Sequence, residues 1–218
     1  MTAAARGTVV AVIGAESTGK TALVHDLAVA LQGRGLDAVV VTEALRDFCD
    51  QQGRTPQVHE QAGIALEQSR RIADAAGAHA IVLADTTALM IAVYSDYIFG
   101  DRSLYAQAEQ DHAVADLTLL TSLDLPWVAD GVQRDGPHVQ EPVDALIRQS
   151  LARMGTSFAV VHGDGRARVD NAMAAVQHAL DAPKRAARPE GSGPRWRWVC
   201  ERCDDGDCER HSGFIVPR

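Results

Sequence analysis

Short apolar runs, often β-branched, recur along the chain at 8–13, 38–42, 80–84, 117–123 and 158–162, and read as strands. Between them the apolar residues fall at helical spacing. Over 20–32, Leu23, Leu27 and Leu31 recur at steps of four, and Gly33-Arg34-Gly35 supplies a stop and a turn. The pattern also predicts a long helix over 58–78 and two later ones over 141–154 and 168–180, with apolar residues on one side. This alternation predicts an α/β fold, a parallel five-stranded sheet with helices on both faces.

The turn between the first strand and the first helix carries chemistry. Gly14-Ala15-Glu16-Ser17-Thr18-Gly19-Lys20-Thr21 satisfies G-x-x-x-x-G-K-[ST] in the strand–loop–helix setting that motif requires. Its glycines let the backbone wrap a phosphate with N–H groups inward, and the helix N-terminus that runs on into Ala22 adds partial positive charge. Lys20 is positioned for the β- and γ-phosphates and the Thr21 hydroxyl for Mg²⁺. The fold expected is therefore that of a P-loop NTPase. The chain has no N-K-x-D guanine signature, so ATP is the nucleotide expected.

Ligands of such sheets gather at the carboxyl ends of the strands. Asp85 ends the third apolar run and is the candidate magnesium-linked or proton-accepting carboxylate, with helix capping as its alternative role. Glu43 follows the second run and precedes Arg46 by three residues, so one helical turn could aim both at a substrate or pair them at the surface. After the fourth run, the segment 126–136 contains Trp127, Asp130 and Arg134 and suits either a lid carrying an arginine or a solvated loop. The histidines form no H-E-x-x-H pair, and no serine sits in a G-x-S-x-G elbow.

The formal net charge of -8, with no dense basic run, argues against a nucleic-acid partner. No apolar segment approaches membrane-spanning length, and the first apolar run ends in the glycine loop rather than a cleavage site, so a cytoplasmic protein without a membrane partner is expected. The organisation expected is a kinase-like domain over 1–181, a breaker-rich linker over 182–195, and a Cys-rich tail over 196–218. In that tail Cys200, Cys203, Cys208 and His211 have C-x₂-C-x₄-C-x₂-H spacing, which suits a closed structural Zn²⁺ site or free thiols on a flexible tail. A filled site of that kind would serve folding or docking of a protein partner rather than catalysis.

The motifs together resemble the NadR-type ribosylnicotinamide kinase domains, a P-loop kinase group within the AAA-labelled ATPases. The matching stretches are 14–21, Thr42-Glu43-Ala44-Leu45-Arg46-Asp47-Phe48, Ala84-Asp85-Thr86-Thr87 and Leu125-Pro126-Trp127-Val128-Ala129-Asp130-Gly131, within about residues 7–181. The resemblance implies transfer of the ATP γ-phosphate to the 5′-hydroxyl of nicotinamide riboside. It implies Lys20 and Thr21 on ATP and magnesium, Glu43, Arg46 and Trp127 on the substrate side, Asp85 as the carboxylate nearest the acceptor, and Asp130 with Arg134 in a lid. Thr87 stands where the family often has an aspartate. The matching stretches hold no counterpart of the adenylyltransferase and DNA-binding domains of full-length NadR, so neither activity is expected of them. The alternative is a regulatory P-loop ATPase that docks a protein partner through its tail.

Overall fold

The computed structural model describes residues 6–129 and 136–186. The elements run β1 (Thr8–Ile13), α1 (Lys20–Gln32), β2 (Ala38–Val41), α2 (Ala44–Gln52), α3 (Gln61–Ala78), β3 (Ile81–Asp85), α4 (Ala88–Phe99), α5 (Tyr105–His112), β4 (Leu117–Thr121), α6 (Gln140–Met154), β5 (Phe158–Val161) and α7 (Gly165–Ala186). Single 3₁₀ turns at Val58–Glu60 and Pro137–Val139 lead into α3 and α6. The strands form one parallel sheet in the order β2-β3-β1-β4-β5. β1 is therefore central, and the register that sets Val12 beside Asp85 brings the end of β3 next to the loop leaving β1.

Alternate residues of each strand serve opposite layers. Val10 and Val12 of β1, Leu83 of β3 and Leu119 of β4 pack on Leu23, Leu27 and Leu31 of α1 and on Met173 and Val176 of α7. On the other face, Ile13 and Leu120 pack against Leu89 and Val93 of α4 and Ile147 and Leu151 of α6, while Val9 and Val82 meet Ile72 of α3. Uninterrupted apolar strands follow from this double burial.

The five strands and α1 appear where the pattern puts them, within a residue or two at their ends. Three further helices lie outside the runs read above. In α4, six consecutive residues from Ala88 to Val93 are buried, so the helix is apolar all round and shows no preferred face. The segments of α2 and α5 are short and polar, with only two buried residues each. α7 runs on through 182–186, where composition predicts a linker; Ala182, Lys184, Arg185 and Ala186 are strong helix formers. No helix among the described residues is long and apolar enough to cross a membrane.

Candidate functional site

The loop 14–19 is held in a strained, close-fitting form. Gly14 has φ +154°, and a Cβ there would lie 2.0 Å from Thr121 Oγ1, so any side chain would push the loop away from the end of β4. Ser17 has φ +57° and Gly19 φ +73°, left-handed conformations of the kind that build backbone nests for anions. The carbonyls are then occupied elsewhere. Ala15 O accepts from Thr18 Oγ1 and Lys20 Nζ, both at 2.8 Å, Glu16 O from Gln140 Nε2 at 2.9 Å, and Thr18 O from Arg168 Nη2 at 2.7 Å. With its carbonyls tied back by α6 and α7, the loop presents donors to a phosphate without rearrangement.

Arg168 and Gln140 are not identifiable from spacing, because each reaches the loop from more than a hundred residues away. Arg168 is buried, and its guanidinium also donates to Asp124 at 3.0 Å and to Gly163 O at 2.9 Å. Partial burial by itself would raise the Asp124 pKa, but hydrogen bonds from Ser122, the Gly163 N–H and Arg168 outweigh it and hold the carboxyl at about 2. The charge that anchors Arg168 is thus present throughout the neutral range.

Thr21 Oγ1 donates to Asp85 Oδ2 at 2.6 Å, and Asp85 Oδ1 is buried with no hydrogen-bond partner among the described residues. A buried carboxylate oxygen lacking a donor is costly and is suited to a divalent cation, which Mg²⁺ sites of this kind complete with waters and substrate phosphates. Asp85 does not cap the following helix, whose N-cap is Thr87. Thr86 has φ +71°, a strained value for a β-branched residue. Its N–H donates to Val12 O and its carbonyl accepts from Gln68 Nε2 at 3.3 Å. Gln68 Oε1 in turn accepts from Ala44 N at 2.7 Å, so one buried glutamine joins the turn after β3 to the start of α2.

That link places Glu43 opposite the phosphate loop. Glu43 and Arg46 form an ion pair at 3.5 Å, and both line a cavity of about 680 Å³ together with Lys20 and Thr21. Burial raises the Glu43 pKa; nearby Lys20 and Arg46 oppose the rise and Asp85 adds to it. Away from the phosphate loop the cavity wall includes the apolar and aromatic Leu45, Val58, Met90, Tyr94, Ile98 and Phe99, with the polar Thr55, Gln57, Gln61 and Thr86 among them. Asp85 does not line the cavity. It lies behind Thr21, whereas Glu43 faces the open space.

Trp127 is drawn to the outer side of the loop, where its indole N–H donates to Glu16 Oε1 at 2.9 Å; the same oxygen accepts from Gly136 N at 3.1 Å. It does not line the cavity. Thr87, at the position where an aspartate is common in the family resembled, pairs with His112 Nδ1 at 2.8 Å, and His112 Nε2 meets Thr118 Oγ1 at 3.0 Å. Burial lowers the His112 pKa to about 4, so this chain of contacts is neutral. Asp130 and Arg134 lie outside the described residues, as do Cys200, Cys203, Cys208 and His211. Among the described residues no group of three or more His, Cys, Asp or Glu side chains converges on a metal position.

Residues 9–168 match the family model described as AAA domain. Among solved structures the fold is similar to the crystal structure of NadR protein in complex with NR, with a TM-score of 0.66 and 22% identity over 79% of this chain and 51% of that one. It is also similar to NadR protein in complex with NAD and AMP-PNP, with a TM-score of 0.62 and 20% identity over 79% and 49%. The chain thus spans about half the length of those proteins. No curated protein matches.

Proposed function

The chain belongs to the AAA-domain family, and on that footing we propose that it is an ATP-dependent small-molecule kinase that phosphorylates the 5′-hydroxyl of nicotinamide riboside. The observation that carries this reading is the single cavity that joins Lys20 and Thr21 of the phosphate loop to an apolar, aromatic wall, with Glu43 and Arg46 between them. Such a space suits a nucleoside laid with its hydroxyl toward the γ-phosphate and its ring on Tyr94 or Phe99. The likeness to NadR in complex with NR and with AMP-PNP supports the same assignment.

Phosphoryl transfer asks the protein mainly for positioning and charge. Lys20, parked on Ala15 O, exchanges that carbonyl for phosphate oxygens. The acceptor oxygen forms a bond to the γ-phosphorus, the bond to the β-phosphate oxygen breaks, and ADP leaves. Glu43 takes the acceptor proton: it lines the cavity, and its raised pKa makes it a stronger base than an ordinary glutamate. Arg46 balances charge beside it. Thr21 and Asp85 would hold Mg²⁺, which supplies neutralisation of phosphate charge when bound. In this scheme Asp85 serves the metal, and the proton-accepting role expected of it from the sequence passes to Glu43.

Incubation with Mg²⁺-ATP and a mixture of nicotinamide riboside, other nucleosides and thiamine, followed by mass spectrometry, tests the proposal. Nicotinamide mononucleotide should form with the native protein and be absent with Lys20→Ala. A different phosphorylated product would keep the kinase and change its substrate, and absence of any product would sink the reading.

A further inference from the structure

Three glutamines are buried around the site, and they differ in what their amides do. Gln68 is 0% exposed and uses both atoms, accepting from Ala44 N and donating to Thr86 O. Gln140 is 8% exposed and donates to Glu16 O. Gln61 is 4% exposed, lines the cavity, and its amide makes no hydrogen bond among the described residues. Its amide atoms are not among the fully buried polar atoms left without a partner; they open onto the cavity, where a ligand's polar group can take the place of water.

The backbone beneath Gln61 is well supported. Gln61 opens α3, and Ile64 and Ala65 one turn later pack with Ala44 of α2 and with Ile91 and Ala92 of α4. An amide mounted there, in a wall where Thr55, Gln57 and Thr86 stand among apolar side chains, is positioned to read a polar feature on a largely apolar ligand.

We propose that Gln61 is a specificity-determining residue that recognises a neutral carboxamide, or an equivalent adjacent donor–acceptor edge, on the ring of the acceptor. This rests on the kinase reading above and adds to it the polarity of the ring substituent. The side chain offers one acceptor oxygen and one donor nitrogen side by side, which pair with the N–H and C=O of a carboxamide. A carboxylate at the same place would set an anionic oxygen against Gln61 Oε1, and an unsubstituted ring would leave both amide atoms without partners.

Calorimetric titration of the full chain, in the presence of AMP-PNP and Mg²⁺, with nicotinamide riboside and with its carboxylate counterpart tests this. The native protein should bind the carboxamide about tenfold or more tightly than the carboxylate. Gln61→Met should bring the ratio toward one by weakening carboxamide binding, with AMP-PNP affinity unchanged and the melting temperature of the unliganded protein unchanged or raised. A structural glutamine would instead lower that melting temperature. Gln61→Glu provides a second variant if the first fails to fold, and it should widen discrimination against the carboxylate. Equal binding of the two compounds, preference for the carboxylate, no carboxamide binding, or a ratio untouched by substitution overturns the inference. Equal phosphorylation of both compounds would leave the kinase reading standing without it. Gln61-dependent carboxamide binding without phosphorylation would keep the inference and sink the kinase reading.

Discussion

The two ends of the cavity are built on opposite principles. At the phosphate end the loop's carbonyls are held by Thr18, Lys20, Gln140 and Arg168, Gly14 lies against Thr121 at the end of β4, and the donors stand ready before a ligand arrives. At the other end the wall is largely apolar and aromatic, and the amide of Gln61 in it makes no hydrogen bond among the described residues. On the proposed reading, the end that handles a common ligand is completed by the protein, whereas the end that selects a particular one leaves groups for the ligand to complete.

Substitutions that strike one end should expose this contrast. The largest effect is expected from Gly14→Ala, whose added Cβ would collide with Thr121 Oγ1 and displace the loop from β4. Nucleotide binding by equilibrium dialysis should be lost by about a thousandfold while the fold, followed by circular dichroism, persists. Retained binding would mean that the loop is less constrained than its contacts indicate.

Glu43→Gln comes next. It should lower kcat by about a hundredfold or more with the ATP KM little changed, as removal of a general base does. Glu43 must be deprotonated to accept a proton, so activity should rise with pH through its pKa, which lies above the ordinary glutamate value of 4.5. The rising limb of the native pH profile should vanish from the residual activity of the variant. A profile that keeps that limb would assign it to another group.

The smallest effect is expected from Arg168→Met, which frees Thr18 O and leaves Asp124 without its arginine. The ATP KM should rise about tenfold with kcat nearly constant, since the residue orders the loop and touches no reacting atom. Arg168→Lys should recover part of the loss. A fall in kcat at unchanged KM would place Arg168 in the transfer step itself.

The sequence by itself determined the layered architecture and the phosphate loop, because both are local. Five apolar runs cannot be solvated on either face, and Gly14 to Thr21 carry their chemistry within one turn of chain. The positions of Asp85 and Glu43 near the phosphate loop were also legible, since residues at the ends of such runs fall on the ligand side of a parallel sheet. The division of labour proposed for them was not. It depends on Asp85 being paired with Thr21 while Glu43 is carried into the cavity by the Ala44–Gln68–Thr86 link, and sequence spacing encodes no distance between β3, α2 and α3. Trp127 likewise looked available to a substrate until its indole was found bonded to Glu16. The helix α4 that lines the apolar side of the cavity left no periodic mark, because burial all round removes the polar face by which a helix is recognised. Only tertiary structure could decide these matters, since a carboxylate, an indole or an amide acquires its role from the groups that chain folding brings within a few ångströms of it.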